Sequence, residues 1–515
     1  MINIKIFKIK KIFNFIFSIK KWRLLFNTII RKKKHNFLGG IKCFMIKDKY
    51  KISSIKTFPL SKKFFISIKN GINLKNRLRI SINQKVLRGQ PLIFGHNHTV
   101  PVHAPTSGWI EDIIFYSDID IPTQDNITII IRSDTKDSWI RVKTYKNYKN
   151  YTPDKLIKII YQSGIIGLGG AKFSSSKKLL LSLNKVHTLI VNAVESDPYT
   201  TSDECLIHNY IEEILIGCEI IAWITKVNLI LIAVQDDKLT SISIIKSYIK
   251  NKSLFKMFII TNKYPAGSSK IIIQALTGKD IPHGQHAIDM GYLIFNIATI
   301  YSIKRAIFNG EPLTNRIVTI DGNKSTYPGN FWIRIGTPLV DIIHYQKCKK
   351  YSDLIFYLGG FFMGEKTVYL DNITLKSENC ILIMLKKEAD KKSMEYQCIR
   401  CGYCSELCPV SLLPQQLYWY SKANNHIKTK EYYILDCIEC GICEKVCPSN
   451  IPLIKYFKHE KKIHYKIDLQ NHRQKISLLR FNTRQKRLLE EKNIVSQIAR
   501  KEQIQLAIQR MKKKS

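Results

Sequence analysis

Eight of the 13 cysteines fall in two copies of one run, and nothing else in the chain restricts its fold so tightly. Cys398, Cys401, Cys404 and Cys408 precede Pro409; Cys437, Cys440, Cys443 and Cys447 precede Pro448. Both read C-x-x-C-x-x-C-x-x-x-C-P. Two-residue gaps bring three thiolates from one tight loop onto a single iron–sulfur cube, with backbone N–H groups facing its sulfides. The fourth cysteine, a helical turn further on, reaches across to the other cube. The spacing therefore assigns Cys398, Cys401, Cys404 and Cys447 to one [4Fe–4S] centre, and Cys437, Cys440, Cys443 and Cys408 to a second. A chain built this way carries electrons.

A zinc ribbon needs four tetrahedral ligands and has no third cysteine at the next C-x-x-C step. Disulfides fit no better: we expect no cleavable signal, and low-potential clusters belong in a reducing cytoplasm. The run is that of bacterial ferredoxins. Leu412–Ala423, between the two copies, has a helical pattern, which predicts the α-helical two-cluster ferredoxin type over the compact β-hairpin type.

With 515 residues the chain has room for several domains. Its net charge of +42 points, taken alone, to nucleic acid or an anionic membrane surface. However, Ile, Asn, Phe and Tyr are abundant alongside Lys, and all five can be written with A/T-only codons. Compositional drift thus accounts for the charge, which is spread along the whole chain, and we expect no nucleic-acid partner. The most apolar stretch, Ile214–Val234, is interrupted by Glu219 and Lys226. A spanning helix needs about 20 nearly uncharged residues, so this stretch reads as a buried helix followed by a strand, and no transmembrane helix is expected. The leader, residues 1–36, carries Phe7, Ile12, Phe13, Phe15, Ile16, Phe17 and Trp22 among lysines. It suits an amphipathic helix lying on a membrane, and equally a basic tail or a docking helix for a protein partner.

From Lys62 to about Ile131 short alternating runs are separated by turn signals such as Asn70-Gly71 and Arg88-Gly89. Lys85–Leu92 and Pro101–Gly108 resemble the halves of a biotinyl/lipoyl-type barrel-sandwich hybrid. The hairpin between them, Gly95-His96-Asn97-His98-Thr99, has no lysine, which argues against a swinging arm. No Cys or carboxylate completes a metal site around His96, His98 and His103, which read as hairpin-surface histidines.

From Thr152, an N-cap followed by Pro153, the period becomes helical. Then come Gly167-Leu168-Gly169-Gly170, a helix bearing Lys178, and a buried strand, Thr188–Val191, that opens into Asn192, Glu195 and Asp197. A glycine-rich turn at a helix start suits an anion, though G-x-G-G suits a tight structural turn as well. The polar residues after the strand suit the edge of an isoalloxazine ring and a nicotinamide amide. A flavin fits the electron arithmetic, because a hydride delivers two electrons and a cluster takes one. Strand and helix alternate to about residue 308, as in a Rossmann-like layer. Beyond Gly310, strands over Arg316–Ile320, Phe331–Ile335, Thr367–Leu370 and Cys380–Met384 suggest a small β-grasp unit. After Pro452 there is no Gly or Pro, which reads as a long basic helix or a disordered arm.

From Gly39 to about Lys458 the chain resembles the RnfC family, a component of the Rnf-type ion-translocating electron-transport complex. The likeness is carried by K-V-L-R-G-Q-P-L, P-V-H-A-P-T-S-G, G-L-G-G-A, K-Y-P-A-G, L-T-G-K-D-I-P-H-G, G-E-P-L-T and both cysteine runs. Its α/β part is similar to the NADH-oxidising flavoprotein subunit of respiratory complex I. The resemblance implies FMN, NADH stacked on it, an SLBB-like (soluble-ligand-binding) β-grasp domain, and peripheral docking with partner subunits on the cytoplasmic side of a bacterial inner membrane. It places Gly167, Gly169, Gly170 and Lys178 on the phosphate side of FMN. Asn192, Glu195 and Asp197 would contact flavin or nicotinamide, Lys279 would lie near the dinucleotide, and Asn296 and Thr299 would form a second flavin segment. From the residues alone, Lys279 also suits a surface lysine and Asn296 a cap. Relatives usually carry Gly where Lys172 stands, Pro-Thr-Gly at Ser174–Ser176 and Gln-Asn-Val-Gly-Thr at Phe295–Thr299.

The expected molecule is multidomain, α+β and α/β. It comprises a leader (1–36), a barrel-sandwich hybrid (37–140), an FMN/NADH domain (141–310), a β-grasp domain (311–386), a two-cluster ferredoxin domain (387–460) and a basic tail (461–515). The expected role is electron input: NADH to or from ferredoxin-type carriers, through FMN and two clusters, coupled to ion translocation by membrane partners. No residue is needed as a general acid or base. The rivals are a soluble NADH-dependent flavin/iron–sulfur oxidoreductase without pumping, and a relay scaffold that keeps only the clusters.

Overall fold

A computed structural model describes residues 35–42, 54–71, 74–96, 99–117, 125–170, 172–348, 351–367, 378–386 and 394–512. The expectations for residues 1–34 and for His98 lie outside the described residues. The chain divides into two units, one spanning residues up to 415 together with 436–451, the other 416–435 together with the segment from 452 onward.

In the first unit an antiparallel sheet runs in the order Lys63–Gly71, Asp125–Ser133, Gly108–Ser117, Lys85–Val86, with Pro91–Ile93 and Val102–His103 paired beside it. Strict alternation turns Ile127, Ile129 and Ile131 inward onto Phe64, Val86, Leu92 and Ile110. His103 corrects the surface expectation: it is buried on the short Val102–His103 strand.

A parallel sheet follows, ordered Phe255–Ile260, Leu229–Gln235, Thr188–Asn192, Tyr292–Asn296. Successive residues feed opposite cores. Leu189, Val191, Ile230 and Ile232 enter one, while Ile190, Leu231 and Ala233 enter the other. Both faces are therefore covered, which is why these strands read as unbroken apolar runs. Thr152 caps the Pro153–Gln162 helix by accepting from Lys155 N, and Leu156, Ile159 and Ile160 are buried. The apolar stretch resolves into the Ser202–Thr225 helix, closed at Lys226, and the Leu229–Gln235 strand. The helix is apolar because it is buried between layers, and no described helix is long and apolar enough to cross a membrane.

The third sheet runs Lys56–Thr57, Gly329–Arg334, Asn315–Asp321, Cys380–Leu385, Leu354–Leu358, Glu365–Thr367. Its central pair, Asn315–Asp321 with Cys380–Leu385, is parallel, and the hairpin partner Gly329–Arg334 is antiparallel. The Leu339–Tyr345 helix packs Leu339, Ile342 and Ile343 onto Val318, Phe331, Phe356 and Ile383. The Leu354–Leu358 strand, buried throughout, lacks the polar alternation that would mark it in the sequence.

In the second unit, the Leu453–Lys512 helix runs unbroken across residue 460. Near its start it is anchored on the His426–Glu431 helix: buried Glu460 accepts from Thr429 Oγ1 and pairs with His426 Nδ1, each at 2.7 Å.

Candidate functional site

The two cysteine runs repeat one another in backbone as well as in sequence. Arg400 and Glu439 occupy the same place in each, with φ of 57° and 55°; Gly402 and Gly441 follow at 84° and 78°. Short helices, Tyr403–Glu406 and Ile442–Lys445, start there, and Ser411 and Asn450 close the runs at 53° and 51°. Left-handed residues at these spacings tighten both loops in the same way. Backbone donors already point at sulfur, Glu439 N at Cys437 Sγ and Leu412 N at Cys408 Sγ, each at 3.4 Å.

Electrostatic neighbourhood links thiols of the two runs. Burial, then the charges of Cys437, Cys440, Cys408 and Cys404, hold the Cys443 thiol well above its ordinary range. Cys440 is pushed up to about 12 by burial, with Cys437 and Cys408 adding to it. Cys408 and Cys404, both of the first run, thus stand near enough to Cys443 to act on it. Cys404 is raised by burial and then by Cys401 and Cys398. The segment after Cys447 returns to the first run, where Tyr396 N donates to Ser449 O and Ser449 Oγ to Gln397 O. Thiols that burial keeps protonated are deprotonated by the metal that binds them. No three His, Cys, Asp or Glu side chains among the described residues close around a single ion. Ligands of a cube stand around a group of eight atoms, so that tighter criterion is not the one they must meet.

The second run is seated on the α/β layer. Tyr264 OH donates to Cys440 O at 2.7 Å and its ring stacks on Phe362 at 4.2 Å. Asp436, next to Cys437, takes Lys270 Nζ at 2.6 Å and pairs with His283 Nδ1. The Gly39–Gly40 turn does more than end the leader, since Gly40 N donates to Leu407 O, just before Cys408. No sequence signal marks these seats, because their partners lie far apart along the chain.

The glycine-rich loop meets the C-terminal edge of the parallel sheet, where open α/β sheets place their ligands. Asn192 and Asn296 are register partners at adjoining strand ends. Gly169 lies so close that a Cβ there would stand 3.1 Å from that of Asn296. Leu168 N donates to Thr299 Oγ1 at 2.9 Å, and Gly167 N to Phe173 O at 2.8 Å. Gly170, at φ 105°, faces open space. Asn296 caps the Ile297–Lys304 helix through Ala298 N and also donates to Asp203 at 2.6 Å. Asn192 donates to Gly267 O at 2.9 Å and accepts from Val194 N at 3.1 Å.

Other expected residues are turned towards the chain itself. Glu195 caps the Ser202–Thr225 helix, accepting from Ser202 Oγ at 2.9 Å and Asp203 N at 3.1 Å. Asp197 closes its own turn on Tyr199 N and takes Phe361 N at 2.7 Å. Lys178 puts its ammonium on Ile294 O beneath the sheet edge, and burial brings its pKa down to about 8. Lys279 is exposed on the turn after Ser269–Thr277. Lys172 keeps the left-handed backbone that glycine would take, with φ 51°, and pairs with Glu378 at 3.2 Å. Ser174 caps the following helix by accepting from Lys177 N.

Comparison with known proteins agrees with this architecture. The RnfC barrel sandwich hybrid domain matches residues 35–136, the Nuo51 FMN-binding domain 160–305 and the 4Fe-4S dicluster domain 397–451. The chain is 56% identical over 437 residues to the C subunit of the ion-translocating oxidoreductase complex from Buchnera aphidicola subsp. Acyrthosiphon pisum (strain APS), covering 85% of this chain and 92% of the relative. It is 44% identical to that of Buchnera aphidicola subsp. Baizongia pistaciae (strain Bp), covering 81% and 83%. It is 38% identical to that of Salmonella arizonae, covering 91% and 70%. Among solved structures, an NAD+-reducing [NiFe]-hydrogenase in the H2-reduced state aligns at a TM-score of 0.44 and 14% identity, covering 61% of this chain and 63% of that one. The chain therefore has a barrel-sandwich hybrid, an FMN-binding domain and a [4Fe–4S] dicluster domain in that order, and it belongs to the RnfC family, the C subunits of ion-translocating oxidoreductase complexes.

Proposed function

We propose that this chain is the electron-input subunit of a membrane-bound, ion-translocating complex, exchanging electrons between NADH and ferredoxin-type carriers. One observation carries the reading. The Gly167–Gly170 loop and the paired strand ends at Asn192 and Asn296 share a sheet edge, and the Cys440 loop is bonded to the same layer through Tyr264. When bound, FMN exchanges a hydride with NADH and single electrons with iron–sulfur centres.

Gly169 and Gly170 offer backbone N–H groups to the FMN phosphate, Gly167 shapes the turn by donating its own N–H to Phe173 O, and Lys178 adds positive charge below the edge. Asn192, Asn296 and Thr299 border the flavin, Glu195 and Asp197 order the loop that faces ring and nicotinamide, and Lys279 lies towards the dinucleotide. Cys398, Cys401, Cys404 and Cys447 hold one cluster; Cys437, Cys440, Cys443 and Cys408 hold the other. Cys440 and Cys443 are buried whereas Cys401 is exposed, which supports the second run as the inward centre and the first as the outlet.

Residues 311–386 form a β-grasp domain on this reading, supported by a hairpin, a helix and a parallel central pair of strands. The remaining boundaries follow the same scheme: 1–36, 37–140, 141–310, 387–460 and 461–515. The subunit docks peripherally on the cytoplasmic side of the inner membrane, so it copurifies with membranes and is released by high salt. The deciding experiment is an anaerobic NADH titration that follows flavin bleaching and cluster EPR signals together. Reduction of both supports the reading; reduction of neither overturns it.

A further inference from the structure

Leu168, in the middle of the glycine-rich loop, is held through both of its backbone groups. Its N–H goes to Thr299 Oγ1, on the helix that begins at the sheet edge. Its carbonyl accepts from Arg316 Nη2 at 3.3 Å. Arg316 belongs to the Asn315–Asp321 strand of the third sheet and lies outside residues 160–305, which match the FMN-binding domain. It is only 3% exposed, its Nε donates to Ile317 O at 3.3 Å, and its Nη1 is buried without a hydrogen-bond partner among the described residues.

A buried guanidinium with an open N–H is costly unless charge of opposite sign stands near it. Burial lowers its pKa to about 10, against the pull of Asp203, Glu378 and Glu195, so it remains a cation at neutral pH. Two of these carboxylates belong to the site itself: Asp203 takes the Asn296 side chain, and Glu195 caps the helix that carries Asp203. Arg316 therefore touches the loop and balances the acidic groups that fix its neighbours.

We propose that Arg316 is a positioning residue for the flavin site, fixing the Gly167–Gly170 loop and placing buried positive charge behind the FMN phosphate, so that flavin binding depends on the third sheet. The proposal rests on the reading of that loop as the FMN phosphate site. A purely structural arginine would neutralise Asp203, Glu195 and Glu378 and leave flavin affinity alone. The two roles predict different outcomes.

The test compares wild type, Arg316→Met and Arg316→Lys as full chains with clusters in place. It measures iron content, the melting temperature of deflavinated protein, and FMN Kd by fluorescence quenching. We expect full iron in all three. Arg316→Met should bind FMN about ten- to a hundredfold more weakly, from the lost charge-assisted bond and the freed loop. Arg316→Lys should recover part of that loss, because it keeps charge without the fork. A lower melting temperature with Kd unchanged in Arg316→Met overturns the proposal. Should that variant not fold, Arg316→Lys decides alone: Kd weakened by about threefold or more supports the proposal, and an unchanged Kd overturns it. If wild type itself fails to bind FMN, the reading of the loop falls, a result distinct from either outcome.

Discussion

The cysteine module and the flavin edge solve the same problem, holding a redox group, in opposite ways. Each cysteine run carries most of its geometry in about a dozen consecutive residues, with left-handed positions at Arg400, Gly402 and Ser411 matched by Glu439, Gly441 and Asn450. The flavin edge is assembled from Gly167–Gly170, Asn192, Asn296–Thr299 and Arg316, and few of these are close in sequence. A local device tolerates drift around it, because its spacing is its geometry. An assembled device depends on every layer that brings its parts together.

The largest effect should come from breaking the crossover between the runs. With Cys398, Cys401 and Cys404 all changed to Ala, roughly half the iron should remain, in the second centre alone. In that background Cys447→Ala should leave the centre intact and Cys408→Ala should abolish its EPR signal, because the crossed arrangement proposed above gives Cys408 to the second centre. The reverse pattern would mean that each run ligates its own cluster, and the module would be two local devices rather than one crossed pair.

The same contrast explains what could be read from the sequence. The helix capped by Thr152, the strand Thr188–Asn192 and the buried helix within Ile214–Val234 were legible because each is fixed by neighbours in sequence: a cap, a proline, an apolar period. Leu354–Leu358 was not: it is buried on both faces and so lacks alternation, and a short apolar run of this kind cannot be told from a buried helix segment by period alone. The cysteine spacing marked the two runs, but it could not reveal the Tyr264 hydroxyl or the Gly39–Gly40 turn, which matter only through contacts made across the fold. Arg316 was invisible for the same reason. In the sequence it is the first residue of an expected strand, and only the fold sets it behind Leu168.

Asn296 tests the assembled side more gently. Asn296→Ala removes the cap on Ala298 N and the 2.6 Å bond to Asp203, leaving that carboxylate short of a partner. Stability should fall by about 1–3 kcal/mol in chemical denaturation, and iron content should not change. Iron loss in step with stability would show that the two regions unfold as one and that the contrast is one of sequence only.

A pH series isolates Lys178. Its folded-state pKa of about 8 lies below the ordinary 10.5. Below pH 8 both folded and unfolded chains are protonated, and the burial penalty is present in full. Between pH 8 and 10.5 the folded chain gives up its proton first, so the unfolded state binds more protons and stability rises with pH. Lys178→Met should remove that alkaline rise from the difference in urea midpoints and make the flavin-free protein more stable at neutral pH. An unchanged rise would mean that the amine does not titrate in this window.

The smallest effect is at Lys172, and two substitutions separate its parts. Lys172→Ala loses the ion pair with Glu378 and keeps a side chain on a left-handed backbone; Lys172→Gly loses the pair and the strain together. The lysine is 60% exposed, so the pair contributes at most a few tenths of a kcal/mol. Relief at φ 51° is worth about 1 kcal/mol, offset in part by the freer unfolded chain. Lys172→Gly should therefore be more stable than Lys172→Ala by about 0.5 kcal/mol and no less stable than wild type. If the two are equal, the loop does not need this backbone to close, and the assembled site rests on Leu168, Thr299 and Arg316 instead.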